Sequence, residues 1–158
     1  MKKMNKQELQ ELQEMTGLLT EEQLNELKKA QAEYDEDMRA QAERMRDAWV
    51  GVFVKWGKTY GMIDSVHICP DDIYLGLVYA SESEWVGRLV KENDVVALTN
   101  EPELRAACIS AQMYFKAERE SLRRYIARMK AEGKPTKTME MLLKELDEWI
   151  KWIKKFAA

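Results

Sequence analysis

Apolar side chains recur at helical spacing in the first third of the chain. From Thr20 onward, apolar or amide residues repeat at alternating intervals of three and four: Leu24, Leu27, Gln31, Tyr34, Met38, Gln41, Met45 and Ala48. This spacing predicts one long helix, and Thr20 with Gln23 three positions later has the composition of a capping box. A shorter stripe of Leu9, Leu12 and Met15 precedes it. The thin stripe favours a helix that packs against other helices, either in a coiled coil or within the same chain.

The period changes from helical to two residues at Trp49. Four strands are predicted from alternating sets: Val50, Val52, Val54 and Trp56; Tyr60, Met62, Val66 and Ile68; Ile73, Leu75, Leu77 and Tyr79; and the run 95–98. Gly57-Lys58 predicts a two-residue hairpin turn with glycine first. Ser81 and Glu84 have capping-box spacing, which predicts a short helix to about Glu92. Residues 49–99 are therefore expected to form a small, mostly antiparallel four-stranded sheet with one short helix.

The last third is predicted to be a helical hairpin. Asn100 is a candidate N-cap and Pro102 follows in the first turn, while Gly133 and Pro135 mark the end of that helix. Its stripe consists of Leu104, Cys108, Ala111, Phe115, Leu122, Ile126 and Met129. A second helix from Thr138 carries Leu142, Leu143, Leu146, Trp149, Ile150, Ile153 and Phe156. The sequence thus predicts a single α+β domain over 1–158, with a helical N-terminal extension at 1–48, the sheet region at 49–99 and a helical hairpin at 100–158.

Composition is typical of a soluble protein. The 158 residues are 46% hydrophobic and 34% charged, without the run of about 20 apolar residues that a membrane span needs. Two cysteines make no disulfide framework, so we expect a cytoplasmic protein. The net charge of −3 is divided unevenly, with −4 over 1–48, −3 over 49–99 and +4 over 100–158. Opposite charges at the two ends can attract each other within or between chains.

The residues with catalytic or metal-binding chemistry do not form a complete site. His67 and Cys69 lie two apart on a predicted strand, so they are weak candidates to share a metal ion or to act as base and nucleophile. Zinc needs further soft ligands, and Cys108 is the one that remains. Phosphate-binding glycine loops, dinucleotide fingerprints and paired-cysteine motifs are absent from the sequence. We therefore predict a non-enzymatic protein without cofactor or metal.

One ten-residue string, 54–63, superficially resembles the nucleic-acid-binding strand of cold-shock proteins. Gly57 and Met62 stand where that family has aromatic residues, and its downstream aromatic-histidine motif is missing. The chain is therefore not assigned to the family. Phe53, Trp56 and Tyr60 can stack on bases, but strand aromatics more often pack across a sheet.

Two surfaces remain as candidates for binding a partner. Basic side chains crowd the stretch 116–137, and the candidates for binding an acidic protein surface or phosphate are Lys116, Arg119, Arg123, Arg124, Arg128 and Lys130. On the last helix, Trp149 and Trp152 are candidates for an aromatic protein contact. We expect a regulatory or inhibitor module that binds a protein partner and self-associates through its helices, of the kind that phages and mobile elements carry. The alternative is a binder of nucleic acid or a phosphorylated small molecule through 116–137.

Overall fold

The computed structural model describes residues 7–8, 11, 20–81 and 84–157. The elements in chain order are α1 (Glu21–Trp49), β1 (Phe53–Trp56), β2 (Thr59–Ile68), β3 (Ile73–Ala80), β4 (Trp85–Val90), a 3-10 turn (Glu92–Asp94), β5 (Val95–Ala97), α2 (Glu101–Ala131) and α3 (Lys137–Ala157). The predicted α+β class, with a long N-terminal helix and a C-terminal helical hairpin, is confirmed. The stripe of Leu9, Leu12 and Met15 lies outside the described residues.

The sheet has five antiparallel strands in the order β4-β3-β2-β1-β5, one more than predicted. The extra strand is β4, where the sequence predicted a short helix. Ser81 and Glu84 close a tight turn instead of capping a helix, since the backbone N–H of Ser81 donates to the Glu84 carbonyl at 2.8 Å. The chain therefore reverses and pairs with β3, and Val86 and Val90 pack into the core as strand residues.

Helices cover both faces of the sheet. On one face, Ala42 and Met45 of α1 belong to a buried cluster that includes residues of all five strands, among them Ile63, Leu75 and Leu77. On the other face, which we call the α2 face, the hairpin of α2 and α3 packs on Phe53, Met62 and Val78, with these helical residues buried: Ala107, Cys108, Ala111, Phe115, Ile150 and Ile153. Both faces of β3 are therefore buried, although the two-residue period predicted only one.

The buried stripe of α1 shifts by one residue near its end. Gln41 and Ala48, which were predicted to lie on the stripe, are exposed, whereas Ala42 is buried and Trp49 is half-buried. A strict seven-residue repeat drifts around a straight helix, and this drift accounts for the shift. The helix also runs through Trp49, so β1 begins later than predicted, after Gly51 redirects the chain with a φ of 88°.

The β1–β2 hairpin has the predicted turn. Trp56 pairs with Thr59 across Gly57-Lys58, and Gly57 has a φ of 59° while no non-glycine residue in the described ranges has a positive φ. That combination fits the glycine-first turn type. The hairpin then departs from prediction, because the β2–β3 register shifts between Ile63 and Ser65.

That shift is a β-bulge, and it divides the predicted face of β2. Met62 packs on the α2 face, but Val66, which the alternation placed beside it, packs on the α1 side. One extra residue in a strand moves all following side chains to the opposite face.

The helical hairpin follows the predicted signals closely. The Asn100 side chain accepts the Glu103 backbone N–H and caps α2. Two ion pairs join the helices, Arg119 with Asp147 at 3.3 Å and Lys130 with Glu140 at 2.8 Å. Over 20–81 and 84–157, no helix is long and apolar enough to cross a membrane.

Candidate functional site

An open groove separates strand β4 from the second half of α2. Along α2, Tyr114 approaches Gly87, and Glu118 accepts the indole N–H of Trp85 at 2.7 Å. The helix continues beyond Glu118 to Ala131. The groove that it forms with the strand has a volume of about 620 Å³ and is lined by Trp85, Ala117, Glu120, Ser121, Arg124, Tyr125 and Arg128. We call it the β4–α2 groove.

Strand β4, which borders this groove through Trp85, is an edge strand of the sheet. Because Ser81 and Glu84 form the hydrogen-bonded pair next to the turn, the alternation of an antiparallel ladder directs the backbone N–H and C=O groups of Trp85, Gly87 and Leu89 away from β3. The side chains of these three residues lie on the α2 face, because Val86 and Val90 between them pack on the α1 side. Trp85 and Leu89 are 44% and 48% exposed. An unpaired edge of this kind is a template for an added strand.

Positive charge lines the α2 wall of this groove. Arg124 and Arg128 are exposed, and each has a local partner: the Nε of Arg124 is 3.3 Å from Glu120, and the guanidinium of Arg128 is 5.2 Å from the centre of the Tyr125 ring. An ion pair this exposed is worth less than about 1 kcal/mol. Both guanidinium groups can therefore turn toward an incoming carboxylate at small cost.

The remaining basic candidates lie elsewhere on α2. Arg119 and Lys130 form ion pairs with residues of α3. These two side chains therefore join the helices of the hairpin. Lys116 and Arg123 are exposed and form no ion pair within the described ranges. The fold thus divides the predicted basic set, of which Arg124 and Arg128 line the β4–α2 groove.

The two tryptophans of α3 lie on the hairpin side of the sheet. Trp149 is half-buried and stacks on Phe115, with ring centres 5.7 Å apart. Trp152 is 39% exposed and stacks on Phe53, beneath Gly51. Trp149 thus contributes to the core, while Trp152 leaves part of its ring open to solvent. Phe53 is buried and Trp56 packs against the α1-side core, so neither presents a free ring for stacking on bases.

His67 and Cys69 have different neighbours. The Nε2 atom of His67 is 2.8 Å from the Ser65 hydroxyl, which in turn donates to Asp64 at 2.8 Å. Cys69 lies beyond the end of β2, where its backbone N–H donates to the Asp72 carbonyl. Among the residues that the structure describes, no three His, Cys, Asp or Glu side chains are grouped to hold a metal ion. Both cysteines are free thiols, and burial raises the pKa of Cys108.

The Ser65 hydroxyl lies between the Asp64 carboxylate and the His67 imidazole in this network. Its one proton is directed to Asp64, so His67 donates to the hydroxyl rather than removing its proton. The carboxylate also bonds the serine instead of orienting the imidazole, unlike the arrangement of a catalytic triad. This geometry is suited to holding a ligand by hydrogen bonds.

Trp85, Gly87 and Leu89 were missed from the sequence because their segment was assigned to a helix. Val86 and Val90 flank a glycine there; β-branched residues favour a strand, and an interior glycine disfavours a helix. Comparison with protein-family models, curated proteins and solved structures finds no match for the chain. Any function of the chain must therefore be inferred from its geometry.

Proposed function

We propose that the protein is a non-enzymatic interaction module that regulates or inhibits a partner protein by binding an extended acidic segment of it in the β4–α2 groove. The segment would add to the sheet as a sixth strand beside β4. The observation that carries the proposal is the open backbone edge of Trp85, Gly87 and Leu89, which at its Trp85 end borders a groove lined by Arg124 and Arg128. Main-chain hydrogen bonds supply affinity in strand addition, and side-chain contacts supply specificity.

The groove has the features that such binding needs. Trp85 offers a half-exposed aromatic anchor whose indole is already held by Glu118, so little rotational freedom is lost on binding. Arginine forks pair with carboxylates through two parallel hydrogen bonds. An acidic segment would therefore find both a strand edge and matched charges in one place.

A labelled peptide tests this proposal. We would measure the fluorescence anisotropy of a fluorescein-tagged octapeptide of alternating Glu and Val, with a Lys and Val octapeptide as the charge control. Leu89→Pro removes an outward N–H without touching the ladder to β3, since proline is tolerated at such edge positions. It should abolish binding, whereas Leu89→Ala, which keeps the backbone donor, should only weaken it.

Charge reversal gives the second arm. Arg124→Glu with Arg128→Glu should lower the peptide affinity at least tenfold, whereas Lys144→Glu with Lys151→Glu on the exposed side of α3 should not change it. Equal binding by Leu89→Pro and the unmodified protein would refute strand addition. If the arginine reversal instead abolished binding of a 12-nucleotide single strand while the peptide never bound, the function would be nucleic-acid binding through 116–137.

We further propose self-association through the first half of α1. Contacts of α1 with the sheet core begin at Met38, while Leu24, Leu27 and Tyr34 before it are half-buried on one stripe. Such a stripe is typical of a helix that packs along another helix. Sedimentation equilibrium should show a dimer that Leu24→Glu with Leu27→Glu converts to a monomer. The unmodified chain should dimerise at a concentration on the order of 100 micromolar. If it stays monomeric there, self-association through α1 is excluded.

A further inference from the structure

A second, smaller cavity lies on the α2 face and is floored by glycines. It has a volume of about 340 Å³, and Gly76 of β3 and Gly87 of β4 form part of its wall. A Cβ atom at position 76 would lie 2.1 Å from the Ser65 hydroxyl and 3.0 Å from an Asp64 carboxylate oxygen. A Cβ at position 87 would lie 3.3 Å from the Tyr114 hydroxyl. The absence of these side chains is what leaves the polar groups accessible.

The β-bulge of β2 brings the polar groups into this cavity. Ile63 and Val66 both pack on the α1 side, so the extra residue between them places Asp64 and Ser65 together on the α2 face. His67 follows Ser65 by two residues and shares that face. The result is a continuous chain of hydrogen bonds from Asp64 through Ser65 to His67.

Asp64 is the one acidic side chain among the residues that line this cavity. Burial is the main influence on Asp64 and raises the pKa of its carboxyl group, although the Ser65 hydrogen bond and the charge of His67 oppose this. Arg88 borders the same cavity, but its guanidinium stacks on Trp56, which packs into the α1-side core. An ionised carboxylate accepts about four hydrogen bonds, and Ser65 is its one side-chain donor in the described ranges. A donor that carries positive charge would therefore be favoured there.

We propose that this cavity binds the ammonium or guanidinium end of an alkyl chain. The cationic head would pair with Asp64, and the face of the Tyr114 ring and the half-exposed Leu89 would contact the methylene groups. The glycine at position 87 leaves a path for those methylene groups from the sheet edge. The cavity shares Gly87 and Leu89 with the strand edge of the proposed peptide site, but it needs no bound peptide, because Trp85, Arg124 and Arg128 take no part in it.

Calorimetry with defined probes tests the site. Cadaverine and agmatine carry the proposed head groups, and 1-pentanol is a neutral analogue of similar length. Both cations should bind and pentanol should not. Asp64→Asn should lower cation affinity at least tenfold, and Gly87→Ala should lower it severalfold by narrowing the path, while Asp94→Asn, an exposed carboxylate on the 3-10 turn, should leave it unchanged.

The source of the cation is tested in the same assay. A blocked pentapeptide of four alanines around one lysine presents the same head group on a protein backbone. Stronger binding of the peptide than of cadaverine would identify a basic side chain as the ligand. Stronger binding of cadaverine would identify a free amine. In either case binding must be weakened by Asp64→Asn. Equal affinity of the Asp64→Asn variant and the unmodified protein, with both folded by circular dichroism, would overturn the proposal. So would comparable binding of pentanol.

Discussion

The contact between Gly76 and Ser65 can be tested quantitatively by a double-mutant cycle. A Cβ at position 76 would lie 2.1 Å from the Ser65 hydroxyl oxygen, so Gly76→Ala forces that oxygen to move. Overpacking of this kind costs about 1–3 kcal/mol, offset by roughly 0.4–1 kcal/mol from the lower entropy of the unfolded chain. Ser65→Ala removes a donor from the partly buried Asp64, at a cost of about 1–3 kcal/mol.

The double variant should be less unstable than the sum of the single variants. Once the hydroxyl of Ser65 is gone, the closest clash at position 76 is relieved, so we expect a coupling of about 1 kcal/mol or more, above the roughly 0.5 kcal/mol within which independent sites add. Urea unfolding followed by circular dichroism at pH 7 measures all four free energies.

A matched cycle of Ser65→Ala with Gly87→Ala should be additive, since a Cβ at 87 meets Tyr114 and not Ser65. Additivity in the Gly76 cycle would refute the packing described for this cavity.

Three further results are expected. Burial raises the pKa of Asp64, so the folded state holds the carboxyl proton more tightly than the unfolded chain does. At pH 7 the Asp64→Asn variant should therefore unfold at a higher urea concentration than the unmodified protein. This difference in stability should disappear as the pH falls below 3.8, the ordinary pKa of an aspartate. Iodoacetamide should label half-exposed Cys69 before Cys108, whose burial and raised pKa suppress the thiolate, and equal rates in the folded protein would contradict this. Phe115→Ala should cost about 3–5 kcal/mol in urea unfolding because its ring is 1% exposed, and a loss below about 1 kcal/mol would show that α2 does not anchor the core.

Local signals in the sequence were sufficient for the helices and their caps. Thr20 with Gln23 forms the predicted reciprocal hydrogen bonds, and Asn100 caps α2 as expected. A capping motif involves residues of a single helical turn, so the local sequence is sufficient to predict where the helix begins. The secondary structure of the segment 85–90 was predicted wrongly, because Ser81 and Glu84 have the same spacing in a capping box and in a tight turn. Pairing with β3, which decides between the two, is a contact that the local sequence does not contain.

The candidate sites depended even more on long-range contacts. His67 was associated with Cys69 by strict alternation, whereas the bulge before Ser65 brought in Asp64. A bulge has no clear signature in this stretch, so the sequence could not show which polar residues share a face. The sequence identifies Arg124 and Arg128 as candidate binding residues, but only the position of β4 shows that they border a groove.

The double coverage of β3 affects how this chain can vary. Ile73, Leu75, Leu77 and Tyr79 serve one core while Val78 serves the other, so a polar substitution has few positions in that octet where it meets water. Gly76 is restricted too, since any larger residue meets Ser65. Drift during evolution should therefore accumulate on the outer helical surfaces and spare these eight residues, which makes them the most informative segment for finding distant homologues.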